Sequence, residues 1–445
     1  MVAIGLLDVP PEIQLQIAEF VNTNQTLKAL SVTSRSLRNI AQSVLFETLQ
    51  IDLIKGLRGS IDDLLPNPRI CAAIRFLKLR GQYLLGPRPA HNDEEKLSLI
   101  NKILPRMVGL RKVWFTQVNL SKGFLDAVLG IAANNPLQID LRYNRYPSGI
   151  IIAPNTRLRI SSLHIFDVDH HSLEFCRTVF HAFATTLTVL DMRANGDGLM
   201  KLADIDLPFL HDLTLRITTT NEVSRLGAAA FITAQRSIRK LHLMGGVRPL
   251  PPIPPDALPD LQELYAPTEL VNQLVPGRPV ESIGVSGKSQ GYGQDWFGEE
   301  VARSTAQVRK LGAYPHSAIL DTRMAKRMAT ILPSLESVWL AVFDDVSDPC
   351  TRITLAHFLQ TLLDVVEALI SLKCLKNLRF YLIKNKNGEK RVNHNVNGIA
   401  TKMRNANSSF SFLEIQGGGV SGWKKTIFVW NEVLGVFQLY PPDST

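Results

Sequence analysis

The stretch Leu210–Arg216, LHDLTLR, decides how this chain is read. Its leucines stand at 210, 213 and 215, the pattern L-x-x-L-x-L. Side chains alternate between the two faces of an extended strand, so Leu213 and Leu215 point one way while Thr214 and Arg216 point the other. The same spacing recurs at Ile74/Leu77/Leu79, Leu110/Val113/Phe115, Ile160/Leu163/Ile165 and Leu187/Leu190/Met192. It continues at Ile238/Leu241/Leu243, Leu335/Val338/Leu340, Leu375/Leu378/Phe380 and Phe410/Leu413/Ile415. Weaker members are Ile139/Leu141, Leu261/Leu264, Val280/Ile283/Val285 and Val308/Leu311.

Most of these marks are separated by roughly 20 to 30 residues. Helical patterns lie between many of them, at 94–107, 121–134, 172–185, 221–235, 321–332 and 354–372. A short strand followed by a helix at this period is the signature of a leucine-rich-repeat solenoid, an α/β repeat fold with a parallel sheet. Each repeat buries its open face only against its neighbours. A doubly wound α/β enzyme also alternates strand and helix, but it needs longer Val/Ile runs and a phosphate loop, and neither is found. The asparagine that often follows a repeat strand occurs only at Asn144 and Asn195, so the repeats are irregular. Thr426–Trp430 and Val433–Tyr440 read as a closing strand pair.

Ahead of the repeats, Leu6–Leu49 reads as three short amphipathic helices. Pro10 and Pro11 suit a first helical turn, where their missing N–H groups cost nothing. Ile13, Ile17, Phe20 and Val21 then share one helix face. Asn24 or Thr26 can cap a second helix and Ser34 a third, whose Leu37, Ile40, Ala41, Val44 and Leu45 form one stripe. So short a segment cannot bury all these faces by itself. Some of this surface must meet the rest of the chain or another protein.

The order of residues here resembles an F-box. The matches are Pro10 or Pro11, Glu12, Ile13, Ile17, Phe20, Val21, Leu27, Leu30, Val32, Ser34, Arg35, Ile40, Leu45 and Phe46. Val9 stands where the family has leucine, and Leu37 where it usually has tryptophan. The resemblance implies docking to a Skp-type adaptor, and through it to a cullin, by Pro11, Ile13, Ile17, Leu27, Leu30, Val32, Ser34, Arg35 and Leu37. It implies a substrate-recognition subunit of a Skp–cullin–F-box ubiquitin ligase, whose repeats hold a target protein and whose chain carries no catalytic residue. A repeat scaffold without a ligase role is the alternative. The expected organisation is an F-box at 1–50, a connector at 51–70, the irregular solenoid at 71–440 and a short tail at 441–445.

Composition narrows the classes further. A chain of 445 residues with 45% hydrophobic residues can hold a large core. The net charge of +9 comes without a dense Lys/Arg block or an aromatic-basic motif, so no nucleic-acid partner is expected. Cys71, Cys176, Cys350 and Cys374 lie far apart, which suits a reducing compartment better than a disulfide framework. No secretory signal or membrane span is evident, so the expected location is intracellular, cytoplasm or nucleus, with no membrane partner.

Several motifs read better as structure than as chemistry. Ser286–Gly293 ends like a phosphate loop, but Ser282 stands where its first glycine belongs. His164, Asp167, Asp169, His170 and His171 cluster without a second ligand group at matching spacing. Ser421 lacks the second glycine of a nucleophile elbow. No cofactor is therefore expected. The proline-rich run RPLPPIPPDALP (248–259) is expected to replace a helix in one repeat, and Lys384–Arg391 to be a solvated turn.

One column remains as a candidate site. The residue after the last leucine of each early strand faces the expected concave surface: Arg80, Thr116, Arg142, Phe166, Arg193 and Arg216. The neighbouring column holds Lys78, Trp114, Asp140, His164, Asp191 and Thr214. Guanidinium groups grip carboxylates and phosphates bidentately, so Arg80, Arg142, Arg193 and Arg216 with Trp114 and Phe166 form a candidate groove for an acidic or phosphorylated target. Asp140 and Asp191 stand beside two of these arginines and compete for them.

Overall fold

Every apolar mark read from the sequence becomes a strand. A computed structural model describes residues 9–21, 23–53, 64, 66–81, 91–144, 146, 158–168, 172–218, 221–245, 250–287, 298–315, 322–343, 364–383, 393–419, 422–431 and 436–440. The chain divides into two units, Met1–Leu210 and His211–Thr445.

In the first unit, helices α1 (Pro11–Glu19), α2 (Asn24–Thr33) and α3 (Arg35–Leu45) precede the sheet. The strands β1 (Thr48–Asp52), β2 (Phe76–Arg80), β3 (Lys112–Thr116), β4 (Leu137–Arg142), β5 (Ile160–Val168) and β6 (Val189–Ala194) follow, each parallel to the one before. The returning segments carry α4 (Pro68–Ala73), α5 (His91–Ile103), α6 (Lys122–Asn134), α7 (Leu173–Phe183) and α8 (Gly196–Leu202). The sheet thus begins at Thr48, directly after α3, whereas the sequence places a connector at 51–70 and starts the repeats at 71. β1 carries the same spacing at Phe46, Leu49 and Ile51, but Phe46 ends α3 and was read as part of the helical segment.

The second unit contains β7 (Asp212–Ile217), β8 (Lys240–Met244), β9 (Glu263–Pro267), β10 (Ser282–Gly287), β11 (Lys310–Pro315), β12 (Ser337–Phe343), β13 (Asn377–Ile383) and β14 (Phe412–Gly419), all parallel in chain order. β15 (Gly422–Asn431) and β16 (Val436–Tyr440) close it as the antiparallel pair read from the sequence. Its helices include α9 (Glu222–Ala234), α10 (Thr268–Leu274), α11 (Thr322–Ile331) and Asn393–Ala406. The fold is a strand–helix solenoid of the leucine-rich-repeat type.

Register explains why the leucines recur. Leu77, Val113, Ile139, Leu163 and Leu190 are partners across β2–β6, and all are buried. Leu213, Leu241, Leu264, Ile283, Leu311, Val338, Leu378 and Leu413 form the equivalent buried row across β7–β14. A one-residue slip would turn each row to the opposite face, so these rows hold the register. The backbone holds it too. Glu47 O accepts from both Arg75 N and Phe76 N, and Arg75 O from both Arg111 N and Lys112 N. The same step recurs from His211 O to Arg239 N and Lys240 N, and from Glu336 O to Lys376 N and Asn377 N. Each carbonyl uses both lone pairs at the entry to the next strand.

Polar side chains staple the turns. Asn144 accepts from Val118 N and donates to Phe115 O, both at 2.9 Å, the job expected of a repeat asparagine. Asn195 instead caps α8 by accepting from Gly198 N. Asn407 is buried and donates to Leu372 O and Leu375 O. Where the prolines were expected to replace a helix, residues 250–262 are non-helical, and Leu250, Ile253, Ala257, Leu258 and Leu261 bury against the repeat. Arg278, also buried, fastens this stretch through bonds to Pro254 O (2.6 Å) and Ala257 O (2.8 Å).

Some sequence readings lie outside the described residues. They include Asp169, His170 and His171, Lys384–Arg391, Ser421 and the tail 441–445. Among the described residues no helix is long and apolar enough to cross a membrane.

Candidate functional site

Two surfaces of the first unit carry the residues singled out by the sequence. The first is the helical segment. Pro11 opens α1 at a position where its missing donor is harmless, and Ser34 caps α3 by accepting from Leu37 N at 3.1 Å. The cap of α2 is Thr23, which accepts from Thr26 N, rather than the expected Asn24 or Thr26. α3 packs against α1, α2 and α4. Inside this packing lie Ala18, Leu27, Leu37 and Ala41, joined by Gln14, whose Nε2 donates to Val9 O.

That packing separates the nine residues of the expected docking set. Leu27 and Leu37 point into the helical core, and Leu30 is half-buried. Ser34 spends its oxygen on the cap. Pro11, Ile13, Ile17, Val32 and Arg35 face outward. Phe20 is 83% exposed and Val32 75%, while Ile13 and Ile17 stay about 40% exposed. Ile13, Ile17 and Phe20 follow one another at i, i+4 and i+7, so they share a face of α1.

The second surface is the outward face of β2–β6. Lys78, Trp114, Asp140, His164 and Asp191 are partners in register, as the sequence column requires. Trp114 lies parallel to Phe76, with interplanar angle 3° and centroids 6.4 Å apart. Cations cover these rings: Lys78 Nζ is 3.9 Å from the Trp114 centroid, Lys112 Nζ is 5.5 Å from Phe76, and the Arg142 guanidinium is 5.0 Å from both Trp114 and Phe166. Each such contact is worth about 0.5–1 kcal/mol at an exposed site.

The arginines of the column differ in what they already hold. Arg142 grips Asp140 bidentately, Nε to Oδ1 and Nη2 to Oδ2, both 2.9 Å. This contact holds its guanidinium above the ordinary arginine range. Asp191 pairs with His164 at 3.4 Å, while Arg193 donates to the Tyr143 hydroxyl at 3.3 Å. Arg80 is exposed, and Arg216 belongs to the second unit. Phe166, expected on the open face, is buried beneath Arg142 and Tyr143.

One feature escaped the column reading: in the second unit Tyr265, Gly284, Gly312 and Trp339 occupy one register row. A Cβ on Gly284 would lie 2.2 Å from the Tyr265 ring, and one on Gly312 would lie 2.5 Å from Trp339. The edges of the two rings therefore fill the space that a side chain on either glycine would need. Glycine in the middle position of consecutive L-x-L steps was the signal that could have found them.

No protein-family model matches this chain, and no curated protein sequence does. Among solved structures it is similar to a chain of the Rad7–Elc1 complex from yeast, at 14% identity, 75% of this chain, 89% of that one and a TM-score of 0.38. It is also similar to a chain of the TLR13–ssRNA13 complex, at 12% identity, 78% of this chain, 46% of that one and a TM-score of 0.33. At these values the likenesses speak to neither site nor partner. The solenoid assignment rests on the strand ladder itself.

Proposed function

We propose that this protein is a substrate-recognition subunit of a Skp–cullin–F-box ubiquitin ligase. Its helical segment docks the Skp-type adaptor, and its sheet faces hold the target protein. The observation that carries the reading is the outward α1 face of Ile13, Ile17 and Phe20, left uncovered, as is Val32, by a helical unit whose inner side packs Ala18, Leu27, Leu37 and Ala41. Burying a wholly exposed side chain of this size contributes roughly 1.5–3 kcal/mol, and the half-exposed isoleucines proportionately less. The chemistry would be positional. A receptor raises the effective concentration of a target lysine near the ubiquitin-carrying enzyme and needs no catalytic group of its own.

A scaffold without a ligase role has one observation in its favour: α3 leads straight into β1 and packs on α4, as a terminal cap would. Co-purification of the full chain with a Skp-type adaptor separates the two readings. Ile17→Asp with Phe20→Asp should abolish capture while circular dichroism and melting stay unchanged. Failure of the intact chain to bind any Skp-type adaptor refutes the receptor reading.

A further inference from the structure

Hydroxyl groups beside the start of β5 bond back to carbonyls: Thr186 donates to Leu158 O and Thr188 to Ser161 O, both at 2.8 Å. Ser162 differs. Its Oγ lies 3.2 Å from Nε2 of His164, two residues further along the same face of β5. Nδ1 of that ring lies 3.4 Å from Oδ2 of Asp191, the register partner of His164 on β6. A second aspartate, Asp140 on β4, also stands beside the ring. Arg142 holds Asp140 by two bonds of 2.9 Å, which leaves Asp191 to accept from Nδ1. With the ring proton on Nδ1, Nε2 is an acceptor and Ser162 donates to it. The side chains of His164 and Asp191 stay 22% and 14% exposed, so the group opens onto the sheet face. The strand is irregular just here. Leu137 and Gln138 on β4 face Ile160 and Ser162, leaving Ser161 without a register partner on β4. Bulges of this kind recur beside active sites, where they re-aim a side chain.

We infer that Ser162, His164 and Asp191 form a nucleophilic triad that cleaves esters of short, uncharged carboxylic acids. Ser162 is the nucleophile and His164 its general base, while Asp191 is a positioning residue that fixes the tautomer of the ring. Such a triad is recognised by geometry and roles, and here the chain order is Ser, His, Asp. A donor for the developing oxyanion stands next to the nucleophile. Gln138 is the register partner of Ser162 on β4, half-buried, and among the described residues its amide makes no hydrogen bond. Glutamine amides are among the groups that stabilise an oxyanion. On its other side Ser162 faces Val189, whose methyls suit a short apolar acyl group, and the nearby Asp191 disfavours an anionic one. In the first step Ser162 Oγ bonds to the carbonyl carbon, its proton passes to His164 Nε2 and on to the leaving alcohol, and the ester C–O bond breaks. Water then attacks the acyl-serine and gives a proton to Nε2, and the acid departs as Ser162 Oγ takes that proton back. The inference does not rest on adaptor docking, so either can fail while the other stands.

The test treats the full chain with a fluorophosphonate, which exchanges its P–F bond for a bond to serine oxygen and releases fluoride, and locates the modified residue by peptide mass spectrometry. Ser162 should react at least about a hundredfold faster than its exposed neighbour Ser161. That comparison lies within the parent chain and depends on no variant folding. p-Nitrophenyl acetate should be cleaved through an acetylated Ser162. Ser162→Ala should abolish both reactions, and Ser161→Ala should leave both unchanged. His164→Gln should slow the modification of Ser162 about a hundredfold, and Gln138→Ala about tenfold. Asp191→Asn should slow it about tenfold or more with circular dichroism unchanged, and Asp191→Glu should recover part of the rate. Equal modification of Ser161 and Ser162, or a parent-like rate in His164→Gln, Gln138→Ala or Asp191→Asn, would overturn the assignment.

Discussion

Replacing Arg278 by methionine keeps an unbranched stem inside the second unit and removes the guanidinium at its tip. That guanidinium, on a residue 1% exposed, donates Nε to Ala257 O at 2.8 Å, Nη1 to Leu274 O at 2.9 Å and Nη2 to Pro254 O at 2.6 Å. Longer bonds reach Pro276 O and Ile253 O. Burial pushes the group below the ordinary arginine range, with Asp256 opposing that shift. Substitution therefore relieves the cost of burying a cation but leaves three carbonyls without their closest donor. An orphaned buried acceptor costs about 1–3 kcal/mol, so three at the low end give a net loss of about 3 kcal/mol. For a unit of this size each kcal/mol lowers the melting temperature by roughly 2–4 °C, so the transition of the second unit should fall by about 6–12 °C. Thermal unfolding followed by circular dichroism reads this directly. Arg278→Lys keeps the charge but not the planar fork, and should fall between parent and methionine variant. If Arg278→Met melts with the parent, the three bonds do not hold the proline segment to α10, and the argument is wrong.

Two further outcomes follow from the second unit. Glu263 is held down to about 2, first by the hydrogen bond with His242 and then by Lys240. A carboxyl depressed in the folded state stabilises above its ordinary value and loses that contribution as pH falls toward 2. Glu263→Gln should therefore flatten the loss of stability between about pH 4.5 and 2, and an unchanged acid limb in urea titrations counts against the pairing. Gly312→Ala places a methyl where the Trp339 ring lies and should cost about 1–3 kcal/mol with a red shift of tryptophan emission. Parent-like emission and stability would show that the ring does not occupy that space.

The fold was legible because its decisive signal is local. A buried row such as Leu213–Leu241–Leu264 needs only one apolar residue at a fixed place in each repeat, and a linear scan finds it. The proline run was legible for a similar reason, since its prolines cannot continue a helix. β1 was not, because its marks Phe46, Leu49 and Ile51 overlap the end of α3 and were absorbed into the helical segment. The site was harder to read. Which face a residue occupies follows from alternation, but what it holds depends on neighbours in other strands. Nothing in the sequence distance of Arg193 and Tyr143 announces their bond. Phe166 keeps its place on the outward face and lost its exposure because Arg142 and Tyr143 of the preceding repeat lie over it.

The helical segment shows how packing refines a motif match. Its sequence offers two apolar stripes, Ile13/Ile17 on α1 and Leu37/Ile40/Ala41/Val44 on α3, and leaves open which of them is free. α3 is claimed from three sides, by α1, α2 and α4, and its stripe is buried at Leu37 and Ala41 and half-buried at Ile40 and Val44. α1 is claimed chiefly by α3, through Ala18 and Gln14 on its inner side. Small and polar residues thus face the interior while Ile13, Ile17 and Phe20 face solvent, an arrangement that loses burial energy unless something covers it. A helix evolved only to cap the first strand would place its large apolar residues inward and its glutamine outward. The inversion on α1 is therefore what the proposed adaptor docking rests on, and α3 is the part that ties the segment to the helices that follow.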